Sequence, residues 1–108
     1  MSTDRELLEL AAKAAAIDGF WSEGYLSFIK RSGGSWDPLT DDGDALRLAV
    51  ELGMNVYACN PMSMTAEIQP DADGGRVIEK AQINYNDPYA ATRRAIVRAA
   101  AEIGRNTK

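Results

Sequence analysis

Arg93, Arg94 and Arg98 are the residues whose type and spacing first suggest chemistry. On a helix, positions 94 and 98 share a face and 93 lies beside them. Guanidinium forks placed in that way can hold phosphate oxygens bidentately, and three together form a clamp for a nucleotide or another small anion. The competing reading is a solvated helix face, with Glu102 four residues after Arg98 as an ion-pair partner. Trp36, Tyr57 and Tyr89 supply flat rings on which a base can stack. Of these, Trp36 and Tyr89 stand at helix entries, where loops and free backbone N–H groups meet a ligand.

The other chemically suggestive clusters have plainer accounts. Asp37, Asp41, Asp42 and Asp44 offer hard oxygen ligands, but they lack the spacing and terminal glutamate of a helix-loop-helix calcium site and serve equally as helix caps. Asp71 and Asp73 suit a turn. Cys59 has no histidine or second cysteine to activate its thiol and reads as a small apolar residue, while Met54, Met62 and Met64 either fill core gaps or form an adaptable surface. The chain has no histidine. That removes the usual neutral-pH base, the commonest zinc ligand and the Ser-His-Asp and Cys-His arrangements. No catalytic residue, metal or cofactor is therefore assigned.

These side chains must be positioned by a small scaffold. The 108 residues suffice for one hydrophobic core and one domain, 1–108, and 45% hydrophobic with 26% charged residues is an ordinary globular composition. No apolar run approaches the roughly 20 residues needed to cross a bilayer. The stretch 1–17 carries early charges and does not read as a signal peptide, so a cytoplasmic location is expected, and a single cysteine fits a reducing compartment. A net charge of −4 disfavours broad nucleic-acid binding.

Thr3-Asp4-Arg5-Glu6 matches a capping box, and Leu7, Leu10, Ala11, Ala14 and Ile17 continue at helical spacing, so the first helix is expected over 4–18, closed by Asp18-Gly19. A short strand or hairpin is expected within 20–31 and a loop over 32–35. The second helix is expected over 42–52, with Ala45, Leu46, Ala49, Val50 and Leu52 as its buried stripe and Gly53 as its stop. Alternation then predicts strands over 54–59, 64–69 and 77–85, with hairpin chemistry at 70–75. Asp87-Pro88 is a strong N-terminal signal for a helix over 88–103, with Tyr89, Ile96, Ala99, Ala100 and Ile103 on its packed side. Gly104 is the expected C-cap, and Arg105 and Lys108 complement the helix end. The order α-β-α-β-β-β-α defines an α+β fold, with an antiparallel sheet of three to four strands packed with three helices. The small alanines of the last helix would also admit a second chain, so a homo-oligomer is expected.

Two blocks, Trp36 to Ala49 (WDPLTDDGDALRLA) and Asp87 to Ala100 (DPYAATRRAIVRAA), resemble small accessory proteins of tailed phages and prophages, of the phage α-β-α sandwich type. The likeness covers most of the chain from Trp36 onward. It implies a compact α+β protein of a bacterial cytoplasm, and it brings no catalytic residue with it. By analogy of fold and context the expected role is non-catalytic counter-defence. In one form the protein sequesters a nucleotide immune signal through Arg93, Arg94 and Arg98 with Trp36, Tyr57 and Tyr89. In another it is an anti-CRISPR-like inhibitor that binds a host defence protein through an acidic or methionine-rich surface. A third reading is a small metal-dependent hydrolase built on the aspartates.

Overall fold

The first helix, α1 (Asp4–Ala14), begins as its capping residues require: the Thr3 hydroxyl accepts from the backbone N–H of Glu6 at 3.1 Å. The protein is described by a computed structural model covering residues 3–60, 63–68, 78–81 and 88–106, with the backbone course alone at 57–60, 63–68, 78–81 and 88. Helix α1 ends four residues before the expected boundary. Ala16 adopts a left-handed φ of 57°, its N–H donates to Lys13 O at 3.2 Å, and Ile17 N–H donates to Ala12 O at 2.9 Å. This pair of bonds closes a helix in the way usually reserved for glycine at the Ala16 position. Gly19, expected to close the helix, opens the first strand instead. A Cβ there would sit 2.3 Å from the carbonyl oxygen of Ile29 across the hairpin.

Strands β1 (Gly19–Ser22), β2 (Ser27–Lys30) and β3 (Ser35–Trp36) form an antiparallel sheet in that order. Trp21 lies opposite Phe28, and Phe28 opposite Trp36. The stretch 32–35 is thus a turn only as far as Gly34. Gly33 and Gly34 take φ values of 108° and 86°, and Ser35 already belongs to β3.

Helix α2 (Asp42–Glu51) starts on Asp41, whose carboxylate accepts from Asp44 N–H at 2.8 Å. Ala45, Leu48 and Ala49 are its buried residues, with Leu52 beside them. Leu46 and Val50, expected in the core, are exposed, and Leu48 takes the place assigned to them. The observed stripe keeps Ala45, Ala49 and Leu52 from the expected one, with Leu48 inside in place of Leu46 and Val50. Anchors at the α2 N-terminus set the rotation of the helix: Asp44 also accepts from Asp37 N–H at 3.0 Å, which ties the first turn to the preceding loop. Gly53, at φ 62°, follows as the expected stop.

The expected antiparallel meander is present as β4 (Met54–Asn60), β5 (Ser63–Ile68) and β6 (Ile78–Ala81). Val56 pairs with Ala66, Met64 with Ala81, and the register shifts between Tyr57 and Asn60. The 70–75 turn, the ends of the expected 77–85 strand, and Met62, Asp87 and Lys108 lie outside the described residues.

Helix α3 (Pro88–Asn106) runs beyond the expected end at 103. It packs most extensively on α1 and also against β5, β6 and α2, while α1 packs in turn on β1 and β2. The fold is α+β, and the described residues form three helices and antiparallel strands. Ala91, Ala95, Ile96, Val97, Ala99, Ala100 and Ala101 are all buried, so most of the circumference of α3 is covered. The alanines are therefore used within this chain and do not need a second one to explain them. Tyr89, expected on the packed side, is exposed. Gly104 is inside the helix rather than its cap: a Cβ at that position would lie 1.9 Å from Leu10 O and 2.8 Å from Leu10 C. No helix among the described residues is long and apolar enough to cross a membrane.

Two substitutions test these backbone constraints in opposite directions. Gly104→Ala adds about 1 kcal/mol of helix propensity but forces a methyl into the α1 backbone, so a net loss of about 1–3 kcal/mol is expected in urea unfolding. Ala16→Gly relieves a left-handed alanine, and a gain of about 0.5–1 kcal/mol is expected by the same measurement.

Candidate functional site

Of the three arginines of α3, Arg93 is partly buried while Arg94 and Arg98 are exposed. Arg93 lies against the N-terminal end of α2: its Nε donates to Leu39 O at 2.9 Å and its Nη1 reaches Asp42 Oδ1 at 2.5 Å. Its side chain is only 15% exposed. Arg93 is thus a brace between α3 and the entry to α2. It joins the stretches 36–49 and 87–100. Arg94 pairs with Asp4, in the first turn of α1, at 3.2 Å with both side chains open to solvent. Arg98 is exposed one turn further along the same face.

The three aromatic candidates are dispersed. Trp36 is 4% exposed and packs edge-on against Phe28, with centroids 5.6 Å apart and planes at 68°. Its ring is a core element, with too little free surface to sandwich a base. Tyr89 is exposed, four residues before Arg93 on α3. Tyr57 stands opposite Thr65 in the β4–β5 ladder, and its side chain lies outside the described residues. Arginine face and buried tryptophan therefore do not share a cleft.

The acidic cluster is committed residue by residue. Asp37 Oδ1 accepts from Leu39 N–H at 3.1 Å, Asp41 caps α2, Asp42 holds Arg93, and Asp44 accepts from Asp37 N–H and pairs with Arg47 at 2.8 Å. Among the described residues no group of three or more acidic or cysteine side chains is placed to hold a metal ion.

Two features escaped the reading of the sequence. One is a groove of about 280 Å³ beside Trp36, between the end of α1, β2 and α2. Half of its lining was visible as Asp44, Arg47, Leu48 and Glu51, a helix face at i, i+3, i+4 and i+7, but nothing local showed that Ile17 and Lys30 would close it. The other is the β1–β2 hairpin tip. There Tyr25 is 81% and Leu26 71% exposed, and Phe20 on β1 is exposed as well. Leu26 holds a left-handed φ of 51°. Arg5 fixes this hairpin to α1, since it pairs with Glu9 at 3.2 Å and Glu23 at 2.7 Å and lies 6.0 Å from the centre of the Trp21 ring.

No protein-family model matches the chain, and neither curated proteins nor solved structures gave a match.

The arginines are expected to separate by stability. Arg93→Met removes two hydrogen bonds of a largely buried guanidinium and should cost about 1.5–3 kcal/mol in chemical unfolding. Arg94→Met removes one exposed ion pair and should cost less than about 1 kcal/mol. Equal losses would show that Arg93 is no brace.

Proposed function

We propose that this chain is a non-catalytic counter-defence protein of the phage type that acts by binding a host defence protein. The observation that carries the reading is the β1–β2 hairpin tip. Tyr25 and Leu26, both large and largely apolar, stand in water on a turn with a left-handed leucine, a conformation that costs an L-residue about 1–2 kcal/mol. The exposed apolar area raises the free energy of the isolated protein, and its burial against a partner recovers that part. Aromatic anchors on a preorganised element lose little conformational entropy on binding, and the Arg5 bond to Glu23 ties the hairpin to α1. The contact would be centred on apolar groups rather than on the acidic or methionine-rich surface expected from the sequence.

The nucleotide-sequestering reading draws on Arg94 and Arg98, while Arg93 is engaged with Leu39 and Asp42. A nucleotide clamp on this face would have to separate Arg94 from Asp4. Support for the phage assignment is the pair of resembling blocks, which Arg93 joins.

The test is affinity capture from a bacterial host lysate with the wild-type chain and a Tyr25→Ser/Leu26→Asp double variant, alongside analysis of small molecules released by heating each protein. A stoichiometric protein partner bound at least about 30-fold more weakly by the variant, as expected for loss of an anchor contributing about 2 kcal/mol, supports the reading. The thermal midpoint of the variant should stay within about 3 °C of wild type, because no core contact is removed. A released nucleotide that disappears in an Arg94→Glu/Arg98→Glu variant would overturn it in favour of sequestration.

A further inference from the structure

The groove beside Trp36 is lined by apolar residues and by side chains of both charges. Ala15, Ile17, Trp36 and Leu48 are its apolar lining. Lys30, the last residue of β2, and Glu51, the last residue of α2, both line it. Among the described residues neither Lys30 nor Glu51 has an ion-pair partner. Arg47, which also lines the groove, is turned back on Asp44 at 2.8 Å and Asp41 at 3.9 Å, so its charge is already compensated.

Backbone electrostatics add to the pattern. Ala15 and Ile17 follow the last residue of α1, and Glu51 is the last residue of α2, so two helix C-termini border the same groove. Helix C-termini carry partial negative charge and favour cationic groups. A phosphate dianion would meet Glu51, Asp44 and both helix ends with only Lys30 uncompensated to receive it. A simple cation would leave Lys30 unanswered. A ligand with an ammonium at Glu51, a carboxylate at Lys30 and an apolar body against the apolar lining satisfies every feature at once. The volume, about 280 Å³, is at the small end of ligand sites and suits one molecule of a few carbon atoms.

We infer that this groove is a binding site for a free α-amino acid with an apolar side chain, held as its zwitterion between Lys30 and Glu51. The site is remote in character from the hairpin tip and does not depend on a protein partner. Its occupancy can therefore be tested independently of the proposed function.

The experiment is titration calorimetry of the full chain with L-leucine, L-methionine and L-phenylalanine, compared with isopentylamine, 4-methylpentanoate and adenosine monophosphate, and paired with amide chemical-shift mapping. At least one amino acid is expected to saturate, with shifts at Ile17, Lys30, Leu48 and Glu51. Analogues lacking the carboxylate or the ammonium should bind at least about tenfold more weakly than leucine, or about 1.4 kcal/mol. Lys30→Met and Glu51→Gln should each lose a similar factor, while Lys13→Met, on the exposed last turn of α1, should not. Glu51 is exposed and its amide variant removes charge without volume, so that arm survives even if Lys30→Met weakens the fold. No saturable amino acid, binding of isopentylamine equal to leucine, or tighter binding of the nucleotide would each overturn the assignment.

Discussion

Everything in this fold depends on how closely α3 approaches α1. At Gly104 the two backbones are near enough that a single methyl would overlap the carbonyl of Leu10. The seam on either side is built from small residues, with Ala11 and Ala12 on α1 and Ala99, Ala100 and Ala101 on α3 all buried. An alanine buries little apolar area, so a seam of this kind is stabilised by the number of close contacts that a short interhelical distance allows rather than by large side chains. The composition of the interior agrees: among the described residues Val97 and Pro38 are the largest side chains fully shut from solvent. Bulk enters from the flanks, where Phe28 and Trp36 of the first sheet meet edge to face. Once the helix pair is drawn together, β5 and β6 cover another side of α3 and α2 covers a third.

Local rules read much of this correctly because much of it is local. The caps at Thr3 and Asp41, the glycine stop after α2 and the alternation of the three later strands each depend on a few neighbouring residues. The errors share one physical origin. Gly104 looked like a helix terminator because a glycine after an apolar run commonly is one. What it provides is room for a backbone more than ninety positions away in sequence. Gly19 misled in the same way, its missing Cβ being required by Ile29. Ala45, Ala49 and Leu52 belong to the α2 stripe as expected, but Leu48 stands inside in place of Leu46 and Val50, which also fit helical periodicity, and periodicity does not fix rotation. Rotation is fixed by Asp44 on Asp37 and by Arg93 on Asp42, contacts that no hydrophobic pattern encodes.

That rotation also decides which surfaces α2 offers. With Ala45, Leu48 and Ala49 turned inward, Leu46 and Val50 face outward, and Asp44, Arg47, Leu48 and Glu51 border the groove closed by Ile17 and Lys30. The arginine stripe and the groove are thus linked in construction, because the same Arg93 that looked like a ligand clamp in the sequence orients the helix that forms the groove wall. A residue type suited to grip phosphate is equally suited to grip a carbonyl and a carboxylate from its own chain, and only the fold distinguishes the two.

Charge balance then bears on how such a protein can recognise anything. With 16 acidic against 12 basic residues, an arginine placed almost anywhere finds an aspartate or glutamate within reach, as Arg5, Arg31, Arg47, Arg93 and Arg94 all do. A phosphate competing for such a guanidinium must displace a carboxylate that is already in place, and the gain is the difference between two similar interactions. Recognition gains more where the folded chain leaves something uncompensated. The described residues do so at the Tyr25-Leu26 tip, where apolar area remains in water, and in the groove lined by Lys30 and Glu51, neither of which has an ion-pair partner among the described residues. A surface whose arginines are largely spent on internal order is therefore better suited to apolar contact and to small neutral zwitterions than to capture of polyanions.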